Sequence, residues 1–98
     1  MKRVNILENN YAYPLMPEWS KDEIIKMVEF YAAVEQANTT GIDRENFLKK
    51  VAEYHKIEPS IAAQKQLDRE FKTVSGLSIY QTIKAANETT KKWLKVRK

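Results

Sequence analysis

The sequence predicts an all-α fold: a small bundle of about four helices, packed behind an extended N-terminal arm rich in tyrosine and proline. Three observations predict it. Only 2 glycines and 3 prolines stand among 98 residues, too few for a turn-rich sheet protein. Apolar residues recur at spacings of three and four in four separate stretches. Each stretch follows a serine or aspartate placed to cap a helix. Ninety-eight residues suffice for one core, so the chain reads as a single domain over 1–98.

Residues 1–10 carry a weak apolar alternation that dies at Glu8 and read as a frayed end. Residues 11–19 differ. Pro14 and Pro17 forbid a regular helix, while Tyr11, Tyr13 and Trp19 argue against disorder. The expectation is an extended arm laying Tyr13, Leu15 and Trp19 across the helices.

The first helix is expected over about 21–38. Ser20 is the N-cap and Glu23 its capping-box partner, with Trp19 and Ile24 as a hydrophobic staple. Ile24, Met27, Val28, Tyr31 and Val34 form the apolar face, and Ile25, Phe30, Ala33 and Ala37 widen it to an arc of roughly 240°. Such a helix is central, or has one edge covered by the arm. Glu35 falls inside the arc near its end and reads as a rim carboxylate. Gly41 is suited to a left-handed turn after the helix.

The second helix, about 44–57, is capped by Asp43, carries Phe47, Leu48, Val51, Ala52 and Tyr54 inward, and stops before Pro59. The third, about 61–74, starts after Ser60, with a narrow stripe of Ala63, Leu67, Phe71 and Val74 and a stop at Ser75-Gly76. The fourth starts after Ser78, with Gln81 as capping-box partner. Its stripe of Ile79, Ile83, Ala86, Trp93 and Leu94 extends it to about residue 96. No strand pair is expected.

Charge is local. Residues 84–98 hold Lys84, Lys91, Lys92, Lys95, Arg97 and Lys98 against Glu88, a net +5; the whole chain carries +4, so the body sums to −1. This basic helix end is the candidate anion-binding site. Helices three and four share the outline of a helix-turn-helix, with Ser78, Tyr80, Gln81 and Lys84 facing outward. However, Lys72 occupies a position that close packing would give to a small apolar residue. The first turn of helix four also has no Arg or Lys for base contacts. Nucleic acid is therefore the disfavoured partner.

Catalytic chemistry finds little material. With Cys 0 and His 1, thiolate nucleophiles, Cys-ligated metals and multi-His sites are excluded. His55 reads as a packing or solubility residue. No catalytic, cofactor-binding or metal-ligating residue is assigned, no cofactor is expected, and the chain reads as a non-enzyme. No apolar run approaches the ~20 residues of a membrane span. Lys2 and Arg3 are not followed by an apolar h-region, so a cytoplasmic protein is expected. The functional expectation is a protein–protein interaction module using Tyr11, Tyr13, Leu15, Trp19 and Tyr80. The alternative is nucleic-acid binding through the basic C-terminal helix. Oligomeric state is not legible.

One run of motifs spans most of the chain: Tyr13-Pro14, Trp19-Ser20, Asp22-Glu23-Ile24, Phe30-Tyr31, Val34-Glu35, Gly41-Ile42, Arg44-Glu45, Pro59-Ser60, Lys65-Gln66-Leu67, Arg69-Glu70-Phe71, Ser75-Gly76 and Tyr80. In order and spacing it resembles an uncharacterised protein family (UPF series) of small proteins from Bacillus-like Gram-positive bacteria. The resemblance implies a helical cytoplasmic domain and no established activity, cofactor or partner. It also makes Glu35 of interest as an interior carboxylate accepting hydrogen bonds from Tyr or Trp. Two places depart from the family pattern: Ile61-Ala62-Ala63-Gln64 stands for a charged run, and Leu77 for a tyrosine.

Overall fold

The computed structural model describes residues 11–96, so the expected fraying of 1–10 lies outside it. Its elements are α1 (Lys21–Ala37), β1 (Ile42–Asp43), α2 (Arg44–Ile57), α3 (Ile61–Ser75), α4 (Ile79–Glu88) and β2 (Trp93–Leu94). The fold is mostly α, with one short antiparallel pair that joins Ile42 to Leu94 and Asp43 to Trp93.

The helix starts follow their caps. Ser20 and Glu23 complete the reciprocal capping box: Ser20 Oγ accepts from the Glu23 amide at 3.2 Å, and Glu23 Oε1 accepts from the Ser20 amide at 2.8 Å. Asp43, Ser60 and Ser78 each accept from the amide three residues on, at 3.0, 3.3 and 3.1 Å. Gly76 ends α3 in the left-handed region at φ +79°, its amide donating to Lys72 O.

The broad apolar arc of α1 is explained by its neighbours. Consecutive helix residues point about 100° apart. Phe30 therefore stacks on Tyr54 of α2, with centroids 4.4 Å apart, while Tyr31 stacks on Phe71 of α3 at 5.0 Å. Phe30, Tyr31, Phe47, Leu67 and Phe71 are fully enclosed. Outside this core, Ile25 and Val74 are exposed although their stripes pointed inward. Val74 sits in the last turn of α3, and Ile25 in the first turns of α1.

Two expectations are corrected. Helix four does not run to 96; α4 ends at Glu88, and the following chain is extended and pairs as β2. Thr89 and Thr90 have branched side chains that helices disfavour, and Thr89 is extended at φ −101°, ψ 152°. The extended path satisfies backbone groups that a helix would not reach. The Arg44 amide donates to Lys92 O at 2.7 Å, and the Val96 amide to Ala37 O at 2.8 Å. It also buries Leu94 to 3% exposure while leaving Trp93 outside. The guanidinium of Arg44 donates through Nε to Ala86 O at 2.8 Å, occupying one carbonyl of the shortened helix end. The basic C-terminal helix is therefore not a helix: Lys84 lies on α4, and Lys91, Lys92 and Lys95 lie beyond it.

Glu35 is likewise not at the rim. It is 1% exposed.

Candidate functional site

The arm was the first candidate surface, and most of it is engaged in packing. Tyr11 donates its phenol to Glu35 Oε2, and Tyr13 donates to Glu35 Oε1 at 2.7 Å. Tyr31 reaches back to accept the arm, its hydroxyl donating to Pro14 O at 2.7 Å. The Tyr13 ring lies 5.2 Å from that of Tyr31, and Tyr11 meets Phe71 edge-on at 6.5 Å. Burial pushes the Tyr13 phenol well above the usual tyrosine range; its hydrogen bond to Glu35 and that carboxylate's charge act in the same direction.

Trp19 is 6% exposed, so it is corrected from a partner-surface residue to a core residue. Tyr11 and Tyr13 are half-buried, with their hydroxyls held by Glu35. Of the five candidates, only Leu15 and Tyr80 stand exposed.

Tyr80 lines a groove that the sequence did not indicate. Ile61 and Asp68 on α3, Ile79, Tyr80 and Ile83 on α4, and Tyr54 of α2 enclose a trough of about 640 Å³. Ile61 is 64% exposed and Tyr80 60%, whereas Ile79 and Tyr54 are buried at its floor. Asp68 is engaged: its Oδ1 accepts from the Ile79 amide at 2.7 Å. His55 and Lys65 are exposed along the same trough. One feature of the sequence marks Ile61 itself as lying off the core face. Ile61 opens α3 six residues before Leu67, which puts it out of phase with the inward stripe.

The basic residues separate into two groups. Lys84, Lys91 and Lys95 line a second cleft, between α4 and the β2 segment, with Trp93 in its wall. Lys92 is exposed beside it, and Arg97 and Lys98 lie outside the described residues. Glu29 of α1 and Glu53 of α2 each meet a lysine of the other helix: Lys50 at 3.8 Å and Lys26 at 3.9 Å. Among the described residues, no group of three or more His, Cys, Asp or Glu is placed to hold a metal ion. No helix there is long and apolar enough to cross a membrane.

The family model described as Uncharacterised protein family (UPF0223) matches residues 10–95. The chain belongs to this family. A UPF0223 protein of Bacillus cytotoxicus is 44% identical over 79 residues, covering 81% of this chain and 89% of the relative. One of Bacillus mycoides is 43% identical over 82 residues, covering 84% and 92%. One of Streptococcus agalactiae is 40% identical over 86 residues, covering 88% and 92%. The family thus extends beyond Bacillus-like organisms to streptococci, and these relatives' names give membership of UPF0223 and no activity. The matched span takes in the Tyr11–Tyr13–Glu35 cluster, the trough and the lysine cleft together.

Proposed function

We propose that this UPF0223 protein is a cytoplasmic binding module, not an enzyme, and that it seats an amphipathic helix of a partner protein in the trough between α3 and α4. The observation that carries the reading is the pair Ile61 and Tyr80, 64% and 60% exposed above an apolar floor. Two large apolar side chains left open beside a shaped groove are what an interface core requires.

The geometry favours a helix as the occupant. The strands are two residues long, too short to template an added strand. A trough between two helices instead accepts residues at spacings of three and four. Charge narrows the choice further. Lys65 is the cationic side chain along the trough and Asp68, whose Oδ1 accepts from the start of α4, the anionic one, so the two suit a partner helix with charges of both signs beside its apolar stripe. The arm is a weaker alternative, because Glu35 and the core already engage its aromatic side chains.

A photo-crosslinking side chain placed at Tyr80, and separately at Leu15, tests this in the native host. The reading expects a discrete adduct from position 80 that disappears when Ile61→Asp is added. Adducts from position 15 alone, a position-80 adduct indifferent to Ile61→Asp, a second copy of this chain as the adduct, or no adduct would each overturn it.

A further inference from the structure

The second cleft has features that a protein-binding trough does not explain. It encloses about 650 Å³ between α4 and the β2 segment, within the roughly 300–1,000 Å³ of small-ligand sites. Lys84, Lys91 and Lys95 bring three ammonium groups to it, and Glu88 one carboxylate. Among the described residues, the ion pairs are Lys26–Glu53 and Lys50–Glu29, so none of these three lysines is neutralised by one.

Trp93 makes the cleft distinctive. It is 54% exposed, yet its position is closely held. Its backbone pairs with Asp43, between the Lys92–Arg44 and Val96–Ala37 hydrogen bonds. Its indole lies on Gly41, whose missing Cβ would stand 2.8 Å from Trp93 Cε2 and nearer still to Nε1. A rigid, half-open aromatic ring thus stands in the wall of a cleft carrying three unpaired cations.

We propose that this cleft binds a nucleoside phosphate, the base stacking on Trp93 and the phosphate oxygens meeting Lys84, Lys91 and Lys95. A flat ring covalently joined to anionic groups is the ligand chemistry that uses both halves of the site. Stacking on an aromatic side chain tolerates any base, and lysine contacts to phosphate carry no sequence information. An acidic peptide would use the lysines and leave the indole open. The nucleotide can be free or part of a single strand, since both present the same groups.

Fluorescence titrations with ATP, a single-stranded hexanucleotide, inorganic triphosphate and a hexaglutamate peptide decide it. Trp19 is buried, so ligand-dependent quenching reports on Trp93. ATP or the hexanucleotide should quench, and the tighter of the two identifies the source. The affinity should fall as salt rises. Trp93→Leu, read by calorimetry, should weaken the nucleotide about tenfold, toward the inorganic triphosphate. Lys84→Gln with Lys95→Gln should weaken nucleotide and triphosphate alike. Circular dichroism checks that each variant remains folded. Equal affinity for hexaglutamate and nucleotide, an unchanged Trp93→Leu affinity, or no binding by either nucleotide would overturn the proposal.

Discussion

The phenol of Tyr13 donates to Oε1 of Glu35 at 2.7 Å, joining two residues 22 positions apart. Tyr11 takes the other oxygen of the same carboxylate. A buried carboxylate needs partners for its lone pairs, because desolvation without hydrogen bonds costs several kcal/mol. Here the partners come from the arm. The contact explains how a proline-bounded segment without regular structure holds a fixed course over the helices.

Removing the acceptor should therefore loosen the arm and destabilise the whole domain. Glu35→Gln is expected to cost about 1–2 kcal/mol and Glu35→Ala about 2–4, measured by chemical denaturation. In a double-mutant cycle, Tyr13→Phe and Glu35→Gln should couple by about 1 kcal/mol. Strict additivity would show that the bond contributes nothing.

Stability should fall in alkali. Burial raises the Tyr31 and Tyr54 phenols, as it does Tyr13. A folded-state pKa above the unfolded value near 10 means that the native state holds protons the unfolded chain has released. The stabilisation is complete below pH ~10 and is lost as pH rises toward the higher folded values. Each such tyrosine should contribute a slope of about −1.4 kcal/mol per pH unit in that window. Denaturation midpoints from pH 8 to 12 would show it. Titration of all three phenols near pH 10 in a still-folded protein would contradict it.

The two glycines should respond unequally to alanine. Both have positive φ, +98° at Gly41 and +79° at Gly76, so each substitution carries a backbone cost of about 1–2 kcal/mol. No atom stands within 4 Å of a Cβ at Gly76, whereas at Gly41 the Trp93 ring occupies the space. Gly41→Ala should be the more damaging by about 1–3 kcal/mol. The gap should close in a Trp93→Ala background. Equal losses in the native background would argue against the indole lying on Gly41.

Leu94 reports on the path of the tail. As a buried residue opposite Ile42, it should lose about 2–4 kcal/mol on truncation to alanine. Trp93→Ala, at an exposed neighbouring site, should cost far less. The reverse order would fit a continued helix better than β2.

Most helix starts were legible because a cap is a local signal: one oxygen, one amide, three residues apart, as at Ser20, Asp43, Ser60 and Ser78. The end of α4 was not. Ile79, Ile83, Ala86, Trp93 and Leu94 satisfy helical spacing, but the pairing of Leu94 with Ile42 spans more than fifty residues, and no local pattern records it. Glu35 shows the same division. Its place inside the apolar arc was visible, whereas its burial depends on two tyrosines from a distant segment. The trough was missed for the opposite reason. Ile61 and Tyr80 lie off their helices' inward stripes, and single exposed apolar residues are ordinary until the fold sets them side by side.

The central claim is that the binding face is the Ile61–Tyr80 trough and that the arm serves the fold. The most direct measurement takes the partner recovered by crosslinking, purified, and compares its affinity for the wild type, Ile61→Asp, Tyr80→Ala and Leu15→Ser. Tyr80→Ala and Ile61→Asp should each weaken binding at least about tenfold, and Leu15→Ser by less than about twofold, with all four proteins equally folded. A tenfold loss at Leu15 with the trough variants unchanged would contradict the account and return the interface to the arm.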